Sequence, residues 1–355
     1  MSLIPATILT GFLGSGKTTL LKRILQEAHG QKIAVIENEF GEENIDSDIL
    51  VSETKEQIIQ MSNGCICCTI REDLRGALRD LAEKKRKGEL DFDRVVIETT
   101  GLADPGPVAQ TFFMDDEIAE SYLLDSILTL VDAKHAAGQL NDRQEARRQV
   151  GFADQIFISK TDLVAKDEVD ALIHRLKHMN PRAPQKAVHF GEVALSEVFD
   201  LRGFNLNAKL DIDPDFLKDE EHDHAGHDHA DHEHGEHCDH PSHAHDHATH
   251  GHHHHHEDDV KSFVFKSDKA FDAAKLEDFL GAIVNIYGPR MLRYKGVLNM
   301  KGTDRKVIFQ GVHQLMGSDL GPAWGAEEKR TNKMVFIGID LPKDIFLQGM
   351  EQCLV

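Results

Sequence analysis

The stretch Thr10-Gly11-Phe12-Leu13-Gly14-Ser15-Gly16-Lys17-Thr18-Thr19 decides the fold. It follows an apolar run, Ile8-Leu9, that reads as a buried first strand, and it leads into Leu20, Leu21, Ile24, Leu25 and Ala28 at helical spacing. Strand, loop and helix in that order give Gly11 and Gly16-Lys17-Thr18 the context that a G-x-x-x-x-G-K-[ST] phosphate loop requires. Glycines let backbone N–H groups wrap closely around an anion, and the helix that follows aims its unpaired N–H groups and positive dipole end at the same phosphates. The whole stretch from Gly11 to Thr19 is the expected cradle. Lys17 adds a point charge at the outer phosphates, and the Thr18 hydroxyl can bind Mg²⁺.

Further motifs sit at the ends of apolar runs. Lys32-Ile33-Ala34-Val35-Ile36 reads as a second buried strand and empties into Glu37-Asn38-Glu39-Phe40-Gly41-Glu42. Carboxylates crowded at a strand end are costly unless a cation or solvent compensates them, so a switch loop near a metal and a solvated acidic loop both fit this stretch. Asn63-Gly64-Cys65-Ile66-Cys67-Cys68 lies between Ile58-Ile59 and a helix with Leu74, Leu78 and Leu81 on one face. Thiolates placed so closely offer soft ligands to Zn²⁺, Cu⁺ or a similar ion and leave a fourth place for His, Glu or a partner.

The apolar strand Phe92 to Glu98 ends in Glu98-Thr99-Thr100-Gly101. A carboxylate in that place can hold Mg²⁺ or its water and sense the terminal phosphate; Glu in place of Asp favours the water-mediated contact. Lys17, Thr18 and Glu98 are thus the expected catalytic set. Gln155-Ile156-Phe157-Ile158 ends in Ser159-Lys160-Thr161-Asp162, where Asp162 can accept the guanine N1 and N2 hydrogens while the stem of Lys160 packs across the base. Adenine offers no matching donors, and a buried unpaired carboxylate is penalised, so the nucleotide is expected to be GTP. Strands alternate with helices through about residue 205, which predicts an α/β, P-loop NTPase domain with a mostly parallel sheet and its ligands at the strand ends.

The 355 residues suggest about two domains. Residues 211–259 hold 16 Asp or Glu against one Lys, which accounts for −15 of the net charge of −21 and leaves a mildly acidic body. An acidic body argues against nucleic acid as a partner. No stretch approaches the roughly 18 apolar residues of a membrane span, and the N-terminus lacks a basic region before an apolar core, so a cytoplasmic protein without membrane contact is expected. The cysteines are five in number, with three crowded together, which in a reducing compartment favours metal binding over a disulfide framework.

Between His222 and His256 stand 17 of the 23 histidines, among acidic and small residues. Such a segment cannot bury enough surface to offset its ordering entropy, and its neutral imidazoles can bind transition-metal ions loosely. The expected division is a P-loop domain over 1–210, an acidic His-rich linker over 211–259 and a small α+β domain over 260–355. In the last, Ser262 to Phe265, Met291 to Met300, Lys306 to Leu315 and Met334 to Ile339 read as strands, Leu276 to Tyr287 and Lys343 to Gln352 as helices. Arg290, Arg293, Lys295 and Trp324 are read there as core and surface residues.

Together the phosphate loop, Glu37 to Glu42, Gly64-Cys65-Ile66-Cys67-Cys68, Glu98-Thr99-Thr100-Gly101, Ser159-Lys160-Thr161-Asp162 and Met291-Leu292-Arg293-Tyr294-Lys295-Gly296 resemble the CobW family of GTPases along nearly the whole chain. The resemblance implies a GTP-hydrolysing metallochaperone, related to HypB and UreG, that passes a transition metal to a metal-requiring client protein. It also implies that Cys65, Cys67 and Cys68 form an internal metal site with Glu37 or Glu42 as further ligands. Zinc is the expected ion because thiolate-rich tetrahedral sites favour it, with Co²⁺ and Ni²⁺ as alternatives. No Gln or Arg in these motifs completes the hydrolytic site, which implies slow turnover until a homodimer or a client supplies one. Two rival readings are a metal buffer built on the His-rich segment and a phosphate-loop kinase for a small molecule; Ser159-Lys160-Thr161-Asp162 speaks against the kinase.

Overall fold

Alternate residues of each central strand point to opposite faces, and here both sets are apolar. Ile8, Ile36, Ile97, Ile127 and Ile156 fall in one core cluster, while their neighbours Leu9, Val35, Val96, Leu128 and Phe157 fall in another. A strand that is apolar on both faces needs cover on both, which is the arrangement of a parallel sheet between helices. The computed structural model describes residues 3–27, 31–38, 58–61, 69–201, 203–204 and 258–355. Glu42, Cys65, Cys67, Cys68 and the His-rich segment lie outside the described residues.

The first sheet comprises β1 (Ile4–Gly11), β2 (Ile33–Asn38), β3 (Ile58–Met61), β4 (Arg94–Glu98), β5 (Tyr122–Asp132), β6 (Gln155–Ser159) and β7 (Gln185–Val188). All its pairings are parallel, in the order β3-β2-β4-β1-β5-β6-β7. Helix α1 (Lys17–Glu27) covers one face through Leu20, Leu21, Ile24 and Leu25. The other face is covered by α2 (Thr69–Lys87), α3 (Pro105–Met114), α4 (Asp116–Ser121), α5 (Ala136–Asp142), α6 (Gln144–Phe152) and α7 (Lys166–Met179). The phosphate-loop stretch leaves the carboxyl end of β1, which lies between β4 and β5, in the crevice where such sheets bind ligands.

The second sheet is antiparallel, in the order β11-β10-β9-β12-β8, from β8 (Val260–Ser267), β9 (Met291–Asn299), β10 (Arg305–Val312), β11 (Leu315–Ala323) and β12 (Asn332–Ile339). Helices α8 (Ala273–Tyr287) and α9 (Lys343–Gln352) pack on one face around Phe263, Phe336 and Phe346. On the other face, Leu292, Val335 and Ile337 join Val150 and Phe152 of α6 in a cluster shared with the first sheet. The expected single strand from Lys306 to Leu315 is broken at His313, whose φ of 51° turns the chain into β11. β11 is exposed along most of its length and contains two glycines and a proline, so it lacks the apolar alternation that would announce a strand. No described helix is long and apolar enough to cross a membrane.

Arg293, 2% exposed, fastens the two sheets together. Its guanidinium donates to Asp154 at 3.0 and 3.3 Å and to the carbonyls of Phe152 and Gly203, both at 3.3 Å, and it stacks 3.8 Å over the Phe204 ring. Asp154 also accepts from the Ile127 amide at 2.9 Å. A Cβ on Gly203 would lie 2.3 Å from the Asp154 carboxyl carbon, so only glycine admits this approach. The core role read for Arg293 is what the structure holds. Arg293→Ala should lower unfolding free energy by about 1.5–3 kcal/mol, the worth of hydrogen bonds to a charged group, since Arg182 at 3.6 Å still faces the Asp154 carboxylate; urea denaturation followed by circular dichroism measures the loss.

Candidate nucleotide and metal site

The phosphate-loop backbone has positive φ at Gly11 (145°), Gly14 (74°) and Gly16 (98°). At Gly11 a Cβ would also fall 2.4 Å from the Leu130 carbonyl oxygen, so the loop is closed against β5 by the absence of a side chain. Ser15 N donates to Phe12 O at 3.2 Å, and Leu20 N to Gly16 O at 3.0 Å as the helix begins. Lys17 is 9% exposed and curls back over the loop, its Nζ donating to the carbonyls of Gly11 at 2.9 Å and Phe12 at 3.3 Å. Burial lowers its pKa, and the charge of Glu98 opposes that shift.

Thr18 Oγ1 donates to Glu98 Oε1 at 3.1 Å. Glu98 lies in register with Leu9 of β1 on one side and Glu37 of β2 on the other. In-register neighbours on parallel strands stand about 4.8 Å apart with side chains on the same face, so Glu37 (8% exposed) and Glu98 share one spot beside Thr18. A hydroxyl and two carboxylates form an all-oxygen donor set of the kind Mg²⁺ takes.

The segment after Glu98 is held from three sides. Thr99 N donates to Leu9 O at 2.9 Å and Thr99 Oγ1 to Thr10 Oγ1 at 2.8 Å. Gly101 presses on the phosphate loop so closely that a Cβ would lie 2.6 Å from Leu13 N. From α6, Gln149 Nε2 donates to the carbonyls of Gly101 at 3.2 Å and Ala103 at 3.0 Å, and Arg148 Nη1 to Asp104, the α3 N-cap, at 2.7 Å. From the second sheet, His313 packs its ring against Phe152 (centroids 5.2 Å apart), and a Cβ on Gly106 would reach within 2.5 Å of His313 Nε2. Burial depresses the pKa of His313.

On the far side of the loop, Lys160 has φ 57° and donates through Nζ to Gly14 O at 2.9 Å and Asp132 Oδ2 at 2.7 Å. Burial pushes the Asp132 carboxyl up, but hydrogen bonds from Lys160 and His135 outweigh it and hold its pKa below the usual range. The Asp162 side chain is 50% exposed, with His189 Nδ1 3.7 Å away. Beside His189, Phe190 is 71% exposed with φ 46°, an unfavourable conformation for a bulky side chain, and its ring lies 4.5 Å from the imidazole. The turn rests on α1, since a Cβ on Gly191 would lie 3.0 Å from Leu20 Cα. His189 is an exposed residue facing Asp162.

The structure therefore brings Lys17, Thr18, Glu98 and Glu37 together at one end of the loop, and Lys160 and Asp162 at the other. Cys65, Cys67, Cys68 and Glu42 lie outside the described residues. Among the described residues no group of three or more His, Cys, Asp or Glu is placed to hold a metal. Asp132, Arg148, Gln149 and Phe190 were not singled out by sequence reading. Gln149 carried no signal, whereas Asp132 ends an apolar strand as Glu98 does.

Residues 5–186 match the family described as CobW/HypB/UreG, nucleotide-binding domain, and residues 260–354 match the cobalamin synthesis protein cobW C-terminal domain. The chain belongs to the CobW family. It is 40% identical over 347 residues to the zinc chaperone YjiA of Escherichia coli, covering 97% of this chain and 96% of that one. It is 31% identical over 364 residues to the zinc chaperone CobW of a Sinorhizobium species, covering 95% and 93%. The crystal structure of Zn(II)-bound YjiA GTPase superposes with a TM-score of 0.74 at 33% identity over the whole of both chains. A Zn(II)-bound triple mutant of YjiA, with one glutamate and two cysteines changed to alanine, gives 0.75.

In this CobW-family chain the segment after Glu98 meets the phosphate loop at Gly101. Gly101→Ala should weaken nucleotide binding about tenfold or more, equivalent to ~1.4 kcal/mol, because the added methyl group must displace Leu13. Titration with a fluorescent guanine nucleotide reads this.

Proposed function

We propose that this CobW-family GTPase is a metallochaperone whose hold on a transition metal, zinc by preference, depends on the nucleotide it carries. The in-register pairing of Glu37 with Glu98 carries the reading, since it sets a carboxylate that leads into the acidic loop against the carboxylate that Thr18 touches.

In this reading Asp162 accepts the guanine N1 and N2 hydrogens, the Lys160 stem lies on one face of the base and Phe190 is available to the other. Lys17 exchanges the carbonyls of Gly11 and Phe12 for phosphate oxygens, while the loop amides and the α1 N-terminus take up the remaining charge. Thr18 and Glu98 would hold Mg²⁺ or its water, and the ion would supply neutralisation of phosphate charge. Gln149 and Arg148 keep the segment after Glu98 in place. Cys65, Cys67 and Cys68 bind the cargo ion as thiolates, with Glu37 or Glu42 completing the set.

When the terminal phosphate leaves, Glu98 and Thr18 relax, Glu37 follows its strand neighbour, and the cargo ion becomes available to a client protein. A client or a second copy of the chain supplies the group that speeds hydrolysis. The zinc chaperone names of relatives that match along nearly their full length, and the Zn(II) bound by YjiA, support this reading.

Two variants test it. Asp162→Asn should shift base preference from guanine toward xanthine, because the amide offers a donor where the carboxylate accepted. Lys17→Ala should lower GTP hydrolysis at least about a hundredfold and slow zinc handover to a chromogenic chelator to the GDP-bound rate. Unchanged base preference removes the GTP assignment; a handover rate unaffected by Lys17→Ala removes the chaperone cycle.

A further inference from the structure

Helix α7 packs into the core through Leu172, Leu176 and Met179, and its outer surface carries His174 and His178, one turn apart. Residues four apart on a helix stand over one another, and here the ring centroids lie 4.3 Å apart with a 39° tilt. The Nδ1 of His178 is 3.0 Å from the backbone carbonyl of His174. A carbonyl only accepts, so Nδ1 carries the proton and the lone pair stands on Nε2. A ring fixed in this way through its other nitrogen is the usual state of a metal-ligating imidazole. Two imidazoles bound to one ion at roughly 2.0–2.1 Å bring their centroids to about 4.5–5 Å, a small rotamer adjustment from the spacing observed.

A second observation concerns where the chain re-enters the fold. Arg175, between the two histidines in sequence, donates to both oxygens of Asp258 at 2.8 and 2.5 Å, and Ser262 Oγ donates to His178 O at 2.6 Å. The run His252 to His256 ends two residues before Asp258.

We propose that His174 and His178 form a transition-metal site of their own, a two-nitrogen chelate for divalent ions of the Ni²⁺, Cu²⁺ and Zn²⁺ class. It uses residues other than those of the sulfur motif. The site does not rest on the nucleotide cycle, and its failure would leave that cycle standing.

Hydrogen exchange of the full-length protein, read by mass spectrometry with Ni²⁺ alone as probe, tests the site. An ion bridging one turn stabilises the helix against local opening by the factor 1 + [Ni²⁺]/Kd, so amides of α7 should exchange about tenfold more slowly at ten times the Kd. Protection should vanish in His174→Ala and in His178→Ala, both exposed substitutions that leave GTP hydrolysis unchanged, and should persist in His189→Ala. Absence of protection in the unaltered chain overturns the proposal. So does protection that survives in the double variant, since it would come from ions bound elsewhere.

Discussion

The contact on which the account depends is the hydrogen bond of 3.1 Å from the Thr18 hydroxyl to the Glu98 carboxylate. It joins the first residues of α1 to the end of β4, and the sheet register places Glu37 on the other side of Glu98. Carboxylates placed side by side, Glu37 buried and Glu98 half-buried, repel unless a cation compensates them, and Lys17 is near enough for the charge of Glu98 to oppose the lowering of its pKa by burial. The phosphate loop and the strand-end carboxylates therefore form one electrostatic unit.

The second sheet is part of the same unit. Arg293 is buried against Asp154, and the turn at His313 packs on Phe152 and on the Gly106 backbone. Gly106 belongs to the helix whose N-cap, Asp104, is held by Arg148, and the adjacent Gln149 holds Gly101 against Leu13. A displacement at Glu98 thus has a contiguous packed route to the surface of the C-terminal sheet, through groups with little free space around them.

Much of this was legible in the sequence, for local reasons. The strand, glycine loop and helix from Ile8 to Ala28 have a periodicity that admits one reading, and the motifs at Glu98 and Asp162 follow apolar runs that could only be buried strands. What was not legible depends on distant partners. Gln149 is an ordinary helix residue until the fold brings it 3.2 Å from the Gly101 carbonyl, and Phe190 looks like a strand-end aromatic until its positive φ and exposure set it, with His189, beside Asp162. β11 was missed because an exposed edge strand need not be apolar. Arg293 could be recognised as a core residue but not as the tie between sheets, since its partner Asp154 is 139 positions away.

The central claim is that one nucleotide-binding loop and one metal site share the Glu37–Glu98 pair. It is tested most directly by the zinc dissociation constant of the full-length protein, measured by competition with a chelator of known affinity, in the presence of GDP and of a nonhydrolysable GTP analogue with Mg²⁺. Coupling through adjacent carboxylates predicts that the constants differ about 5- to 150-fold, and that Glu37→Gln brings the two together. Equal constants for the two nucleotides in the unaltered protein would contradict the account.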